Sequence, residues 1–243
     1  MIWATGRSGN PIFGRMFGEI PGIKSYEEPP LFGARVEVPY KTLSHFTEAI
    51  WAPCFSTSPI PFAEEATFTF CTCPNGRVLT ENHDGEFLSA NGESSPDFRS
   101  GKTNFALLTT IKRQDSSSPN QTVIDWAKAV NQLANGGVFR IGFPALLKDN
   151  PLFSVLPSEV IHKITGHLLN LNRVAPGVAG EQARLIFPEL KLRGTKVSTG
   201  PFMETGPDGL FVAGDVAVSN NLYDAALTGL AAADGVARFL RSQ

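Results

Sequence analysis

Between Thr67 and Cys73 the chain sets Phe and Cys against Thr with a period near two, the repeat of a half-buried strand. This reading puts Cys71 and Cys73 on one strand face. Pro74-Asn75-Gly76 follows with residues that tolerate a tight turn. Runs at 77–81, 85–90 and 104–112 read as further strands of an antiparallel sheet, and Gln114 to Asn120 reads as a loop. The period then becomes helical. Val123, Ala127, Val130 and Leu133 share a face over Thr122 to Leu133, and Val160, Ile164, Leu168 and Leu171 share one over Pro157 to about Asn172. Glu181 to Phe187 reads as a short helix stopped by Pro188, and prolines at 29, 30, 59 and 61 mark about 20–65 as irregular. The chain ends read differently. Met1 to Gly6 has the texture of the tail of a buried strand. Leu210 to Ala213 is short, apolar and β-capable, as a buried parallel strand should be. Asn221 to Leu240 reads as a helix with the apolar stripe Leu222, Ala226, Leu230, Ala233, Ala237 and Leu240.

Composition narrows the function classes. Over 243 residues, 42% are hydrophobic, 18% are charged and the net charge is −2, the profile of an ordinary globular protein of one or two domains. That charge offers no footprint for nucleic acid, and no apolar run approaches the roughly 18 to 20 residues needed to cross a bilayer. The expectation is therefore no nucleic-acid partner and no membrane partner. Three cysteines make no disulfide framework, so a reducing, cytoplasmic setting is expected.

The candidate chemistry lies near the C-terminus. A strand ending in Gly214-Asp215 puts a carboxylate where open α/β sheets bind ligands, able to accept hydrogen bonds from sugar-like hydroxyls. The helix that follows offers free N–H groups at its start, and Ala225, Ala226, Gly229 and Ala231 to Ala233 let it lie close to a sheet or a cofactor. A generic strand–turn–helix with a solvent-facing Asp fits the spacing equally well. Cys71 and Cys73 read either as a redox pair or as two small packed side chains, and Cys54 reads as buried. Asn91, Gly92 and Ser94 fit a turn facing substrate or an ordinary hairpin turn. Lys196, Ser198 and Arg7 are candidates to face a cofactor or substrate, against the commoner reading of surface residues. No metal site is expected, since His45, His83, His162 and His167 fall into no ligand spacing. No catalytic acid or base can be named.

Gly209-Leu-Phe-Val-Ala-Gly-Asp215, with Ala225-Ala226-Leu-Thr-Gly229-Leu-Ala-Ala, is similar to the ending of FAD-dependent oxidoreductases. Ala4-Thr5-Gly6 resembles the short motif at which such chains leave the FAD domain. The segments Thr69-Phe-Cys-Thr-Cys-Pro-Asn-Gly76, Ala90-Asn-Gly-Glu-Ser94 and Leu190-Lys-Leu-Arg-Gly-Thr-Lys196 resemble the uncharacterised FAD-dependent dehydrogenases, in order along nearly the whole chain. The resemblance implies an α/β protein: part of a Rossmann-like FAD-binding domain at 1–20 and 205–243, with a larger α+β sheet-and-helix substrate domain inserted at 21–204. It implies that Asp215 binds the ribityl or pyrophosphate region of FAD, that Thr5, Gly6 and Gly214 lie alongside, and that Asn221, Leu222 and Tyr223 offer backbone N–H groups to the flavin pyrimidine edge. It also implies a small-molecule substrate. Two departures stand out. Val218 and Asn221-Leu222 occupy places where the family carries glycine, and no Gly-x-Gly-x-x-Gly follows a strand, so the front of the dinucleotide fold is expected upstream or on a partner chain. A non-catalytic remnant that no longer holds flavin is the alternative.

Overall fold

The computed structural model describes residues 1–6, 19–58, 66–112, 119–217 and 222–243. The protein is a mixed α/β chain with several sheets. It divides into two compact units, one of residues 1–28 with 193–243 and one of residues 29–192. These limits differ from the expected 20/21 and 204/205. Strand β2 (Ser25–Glu27) pairs antiparallel with β10 (Thr195–Val197), which holds both segments in the first unit.

The larger unit is built on a five-stranded antiparallel sheet, ordered β4-β7-β3-β9-β8. Its members are β3 (Leu31–Pro39), β4 (Thr67–Cys73), β7 (Lys102–Thr110), β8 (Phe139–Gly142) and β9 (Arg184–Lys191). The central strand β3 lies in the stretch expected to be irregular. Phe32, Ala34, Val36 and Val38 do alternate there, but the intervening Gly33 and Arg35 are buried as well. One sheet face carries Phe32, Val36, Phe105, Leu107 and Leu185 against α2 (Pro119–Leu133) and α4 (Ser158–Leu171). The helices contribute Val123 and Val130, and Val160, Ile164 and Leu168. Short helices α1 (Ser44–Thr47) and α3 (Phe143–Leu146) also belong to this unit.

The segment expected to form a short helix from Glu181 to Phe187 is strand from Arg184. It is buried on both faces, so its apolar run has no period to separate strand from helix. Pro188 is tolerated because the β3–β9 register shifts between Gly33 and Arg35, opposite Phe187 and Pro188. Strands β5 (Arg77–His83) and β6 (Phe87–Glu93) form a separate two-stranded ribbon rather than joining the sheet of β4 and β7. Asn131 of α2 fastens this ribbon, accepting from Leu88 N at 2.7 Å and donating to Leu88 O at 3.1 Å.

In the smaller unit β1 (Ile2–Trp3) pairs parallel with β11 (Phe211–Val212), and α5 (Leu222–Arg241) packs on Phe211 and Ala213. The helix faces the strand through Thr228, Ala232 and Gly235, not through the expected stripe. Leu222, Leu230 and Leu240 of that stripe are 90%, 69% and 67% exposed within the described chain. The reason is steric. A Cβ at Gly235 would stand 2.6 Å from the Phe211 ring and 2.7 Å from the Phe202 carbonyl, so only this thin face allows the close approach.

Candidate functional site

Two constellations of polar groups stand out, one in each unit. In the smaller unit, the parallel register Ile2↔Phe211 and Trp3↔Val212 continues with Ala213 N donating to Trp3 O at 2.9 Å. Thr5-Gly6 and Gly214-Asp215 therefore both follow the carboxyl ends of adjacent parallel strands. Gly6 and Gly214 have φ of +63° and +79°, a region L side chains rarely enter, and among the described residues nothing lies within 4 Å of where a Cβ would point. Gly214 N donates to Thr228 Oγ1 of α5 at 2.9 Å, which fixes the turn.

Asp215 is not a lone surface carboxylate. Lys196, whose side chain is 1% exposed, sets Nζ 3.2 Å from Asp215 Oδ1 and also donates to the Asp215 carbonyl. Glu28 accepts from Arg193 at 2.7 Å and lies 3.9 Å from Lys196 Nζ. Glu28, Arg193, Lys196 and Asp215 thus form one charge cluster, in which the Asp215 side chain stays 31% exposed. Glu28 carried no signal in the sequence, because only the β2–β10 pairing brings it near the others.

Leu222 and Tyr223 are the first two residues of α5, where backbone N–H groups lack intrahelical partners, and both are exposed. Arg7 and Asn221 lie outside the described residues. Ser198 is not in this cluster. It lines a cavity of about 410 Å³ with Lys24, Phe202, Gly209 and Phe211, at the amino end of β11 rather than its carboxyl end.

The second constellation lies on the sheet face of the larger unit that carries Leu31, Ala106 and Leu108. Arg35, fully buried on β3, donates to Asn104 Oδ1 at 2.7 Å, to Glu189 Oε1 at 3.0 Å, to Cys71 O at 2.7 Å and to Cys73 Sγ at 3.2 Å. Gly92 of β6 covers the guanidinium so closely that a Cβ there would collide with it. Asn91 and Gly92 are therefore strand residues, not a turn, and Gly92 is needed for packing. Burial pushes the Glu189 carboxyl up to about 7 even though Arg35 opposes the shift. Glu189 Oε2 and Asn104 Nδ2 are buried without a hydrogen-bond partner.

The cysteines do not share a face. The β4–β7 register shifts between Phe70 and Cys73, Cys71 takes φ +48°, and Cys71 is exposed while Cys73 is buried. Burial raises both thiols above their usual range, and the Arg35 charge only partly counters it. Neither is an activated thiolate. Cys54, expected to be buried, is exposed and donates to Thr69 O at 2.9 Å. Glu189 and Arg35 escaped the sequence reading because isolated charged residues in apolar strands carry no spacing motif.

Among the described residues no group of three or more His, Cys, Asp or Glu could hold a metal ion, and no helix is long and apolar enough to cross a membrane. No protein-family model matches the chain, and no curated protein does.

Proposed function

We propose that the unit of residues 1–28 and 193–243 is part of a Rossmann-like FAD-binding domain, and that the protein is an FAD-dependent oxidoreductase of the dehydrogenase type acting on a small organic molecule. One observation carries the reading. Thr5-Gly6 and Gly214-Asp215 leave the carboxyl ends of two adjacent parallel strands, the position at which open α/β sheets bind nucleotide cofactors. The residues present fit such a group. Among the described residues nothing covers Gly6 and Gly214 where a Cβ would point, so a ligand would meet bare backbone there, and the part-exposed Asp215 carboxylate can take the hydroxyls of a ribityl chain. Leu222 and Tyr223 would offer the first N–H groups of α5 to the flavin carbonyls. Lys196 would hold Asp215 in place and balance its charge. Flavin, when bound, supplies the hydride or electron chemistry, while the protein orients it and sets its electrostatics. The remaining part of the nucleotide fold would come from residues beyond this sequence or from a partner chain.

A specific observation favours the non-catalytic alternative. Asp215 already has a cationic partner within its own unit, so the cluster can stand as a structural ion pair without a ligand.

The test is the visible spectrum of the purified chain, alone and with added FAD, followed by denaturation to release any flavin. A yellow protein that releases flavin, and an Asp215→Asn variant that holds much less, would support the proposal. Flavin bound only when the product of a neighbouring gene is co-expressed would identify a two-chain enzyme. A chain that stays colourless with FAD in both settings would refute flavin binding. Reading the DNA upstream of Met1 would show whether a Gly-x-Gly-x-x-Gly segment precedes it.

A further inference from the structure

The larger unit contains a second cavity of about 410 Å³ that takes no part in the flavin reading. Its walls are built by three connections. Tyr40 N donates to Gly101 O at 2.9 Å, Ser100 N donates to Asn75 O at 3.1 Å, and the pair Arg77↔Glu93 brings the turn at Pro74-Asn75 beside Ser94. The loop from Ser94 to Ser100 is thereby held between Tyr40 on one side and Asn75 on the other. The two middle-region segments singled out in the sequence, Thr69 to Gly76 and Ala90 to Ser94, thus meet at one cavity wall.

The lining combines ring surfaces with polar groups. Trp51 is 69% exposed, although an indole of that size is ordinarily well covered. The Trp51 indole N–H, the Asn75 amide, the Ser94 hydroxyl and the Arg99 guanidinium all line the cavity, and among the described residues no protein group competes for them. Tyr40 adds a further ring surface, and Phe98, whose ring already carries the Arg77 guanidinium carbon at 4.8 Å, also lines the cavity. Glu48 also lines the cavity and accepts from the Tyr40 hydroxyl at 3.2 Å, which leaves its carboxylate able to take another donor.

We propose that this cavity binds a planar aromatic acid, a hydroxylated aryl carboxylate. Aromatic walls favour a flat apolar body, and ligand pockets of a few hundred Å³ ordinarily combine such walls with a few polar groups that set orientation. Arg99 selects a carboxylate, which a guanidinium meets with two parallel hydrogen bonds. Asn75, Ser94 and Glu48 provide partners for a ring hydroxyl. The proposal does not rest on flavin binding and stands or falls separately from it.

The experiment is isothermal titration of the full chain with hydroxynaphthoate, and with naphthol as the same ring system without the carboxylate. Saturable one-site binding of hydroxynaphthoate, and weaker binding of naphthol, is expected. Arg99→Gln should weaken hydroxynaphthoate roughly tenfold or more while leaving naphthol unchanged, as expected for loss of a charge-assisted hydrogen bond. Trp51→Ala should weaken both ligands about three- to tenfold, the range for loss of an aromatic contact. Both side chains are exposed, so circular dichroism of the variants should match the parent. Absence of saturable binding, or failure of either variant to weaken hydroxynaphthoate, would overturn the proposal.

Discussion

Replacement of His167 by Leu tests a buried titratable group of the larger unit whose ring nitrogens have no partner. His167 lies on α4, is 5% exposed, and neither ring nitrogen has a hydrogen-bond partner. Burial alone lowers its pKa from 6.5 to about 4. The folded chain therefore refuses a proton that the unfolded chain accepts below pH 6.5. Between pH 6.5 and 4 the unfolded state binds more protons, so stability is present above the upper limit and lost as pH falls through the window. At 1.36 kcal/mol per unit the full loss is about 3 kcal/mol, and about 2 kcal/mol of it has gone by pH 5. Leu removes both unpartnered nitrogens and the titration. His167→Leu should gain about 1–2 kcal/mol at neutral pH from the first effect, and about 2 kcal/mol more at pH 5 from the second. Urea unfolding followed by far-ultraviolet circular dichroism would measure both. The comparison must be variant against parent. Glu189, raised from 4.5 to about 7, has the opposite sign, with stability fullest below 4.5 and lost as pH rises towards 7, and it flattens the parent's own profile. An equal stability difference between parent and variant at the two pH values would refute a buried neutral imidazole.

Two further outcomes follow from packing and exposure. Gly235→Ala forces a methyl against Phe211 and the Phe202 carbonyl and should cost about 1–3 kcal/mol, read as a lower thermal midpoint, whereas Gly229→Ala, with open space around it, should not destabilise. A neutral-pH thiol reagent should modify Cys54 and Cys71 slowly and leave Cys73 intact until the chain unfolds, as resolved by peptide mass mapping; rapid labelling of Cys73 would contradict its burial against Arg35.

Periodicity located several elements, although for α5 it named a stripe that is largely exposed and missed the face that is buried. The strand from Thr67 to Cys73, the helix ending at Leu133 and the helix from Ser158 to Leu171 lie where the alternation of side chains predicts them. It failed for β3 and β9, which are buried on both sides and carry Arg35, Gly33 and Pro188 at positions a simple pattern rejects. At the candidate nucleotide site, the strand, the Gly-Asp turn and the helix were readable locally. The charges around Asp215 were not, because Lys196 and Glu28 lie in different parts of the chain and meet only through the pairing of β2 with β10.

By itself the sequence determined where most elements form and which short segments can turn sharply, since both depend on the side chains of a few consecutive residues. Tertiary structure alone decided which partners those elements meet. It turned the thin face of α5 to Phe211 and left the Leu stripe exposed, because one Gly235 permits a closer approach than several leucines. It put Cys71 and Cys73 in different environments through one shift of register. It also joined Arg35 to Glu189, 154 residues away, where a carboxyl has lost its water and keeps only one cation in exchange. Burial and charge pairing depend on what arrives from elsewhere in the chain, and no window of neighbouring residues contains that information.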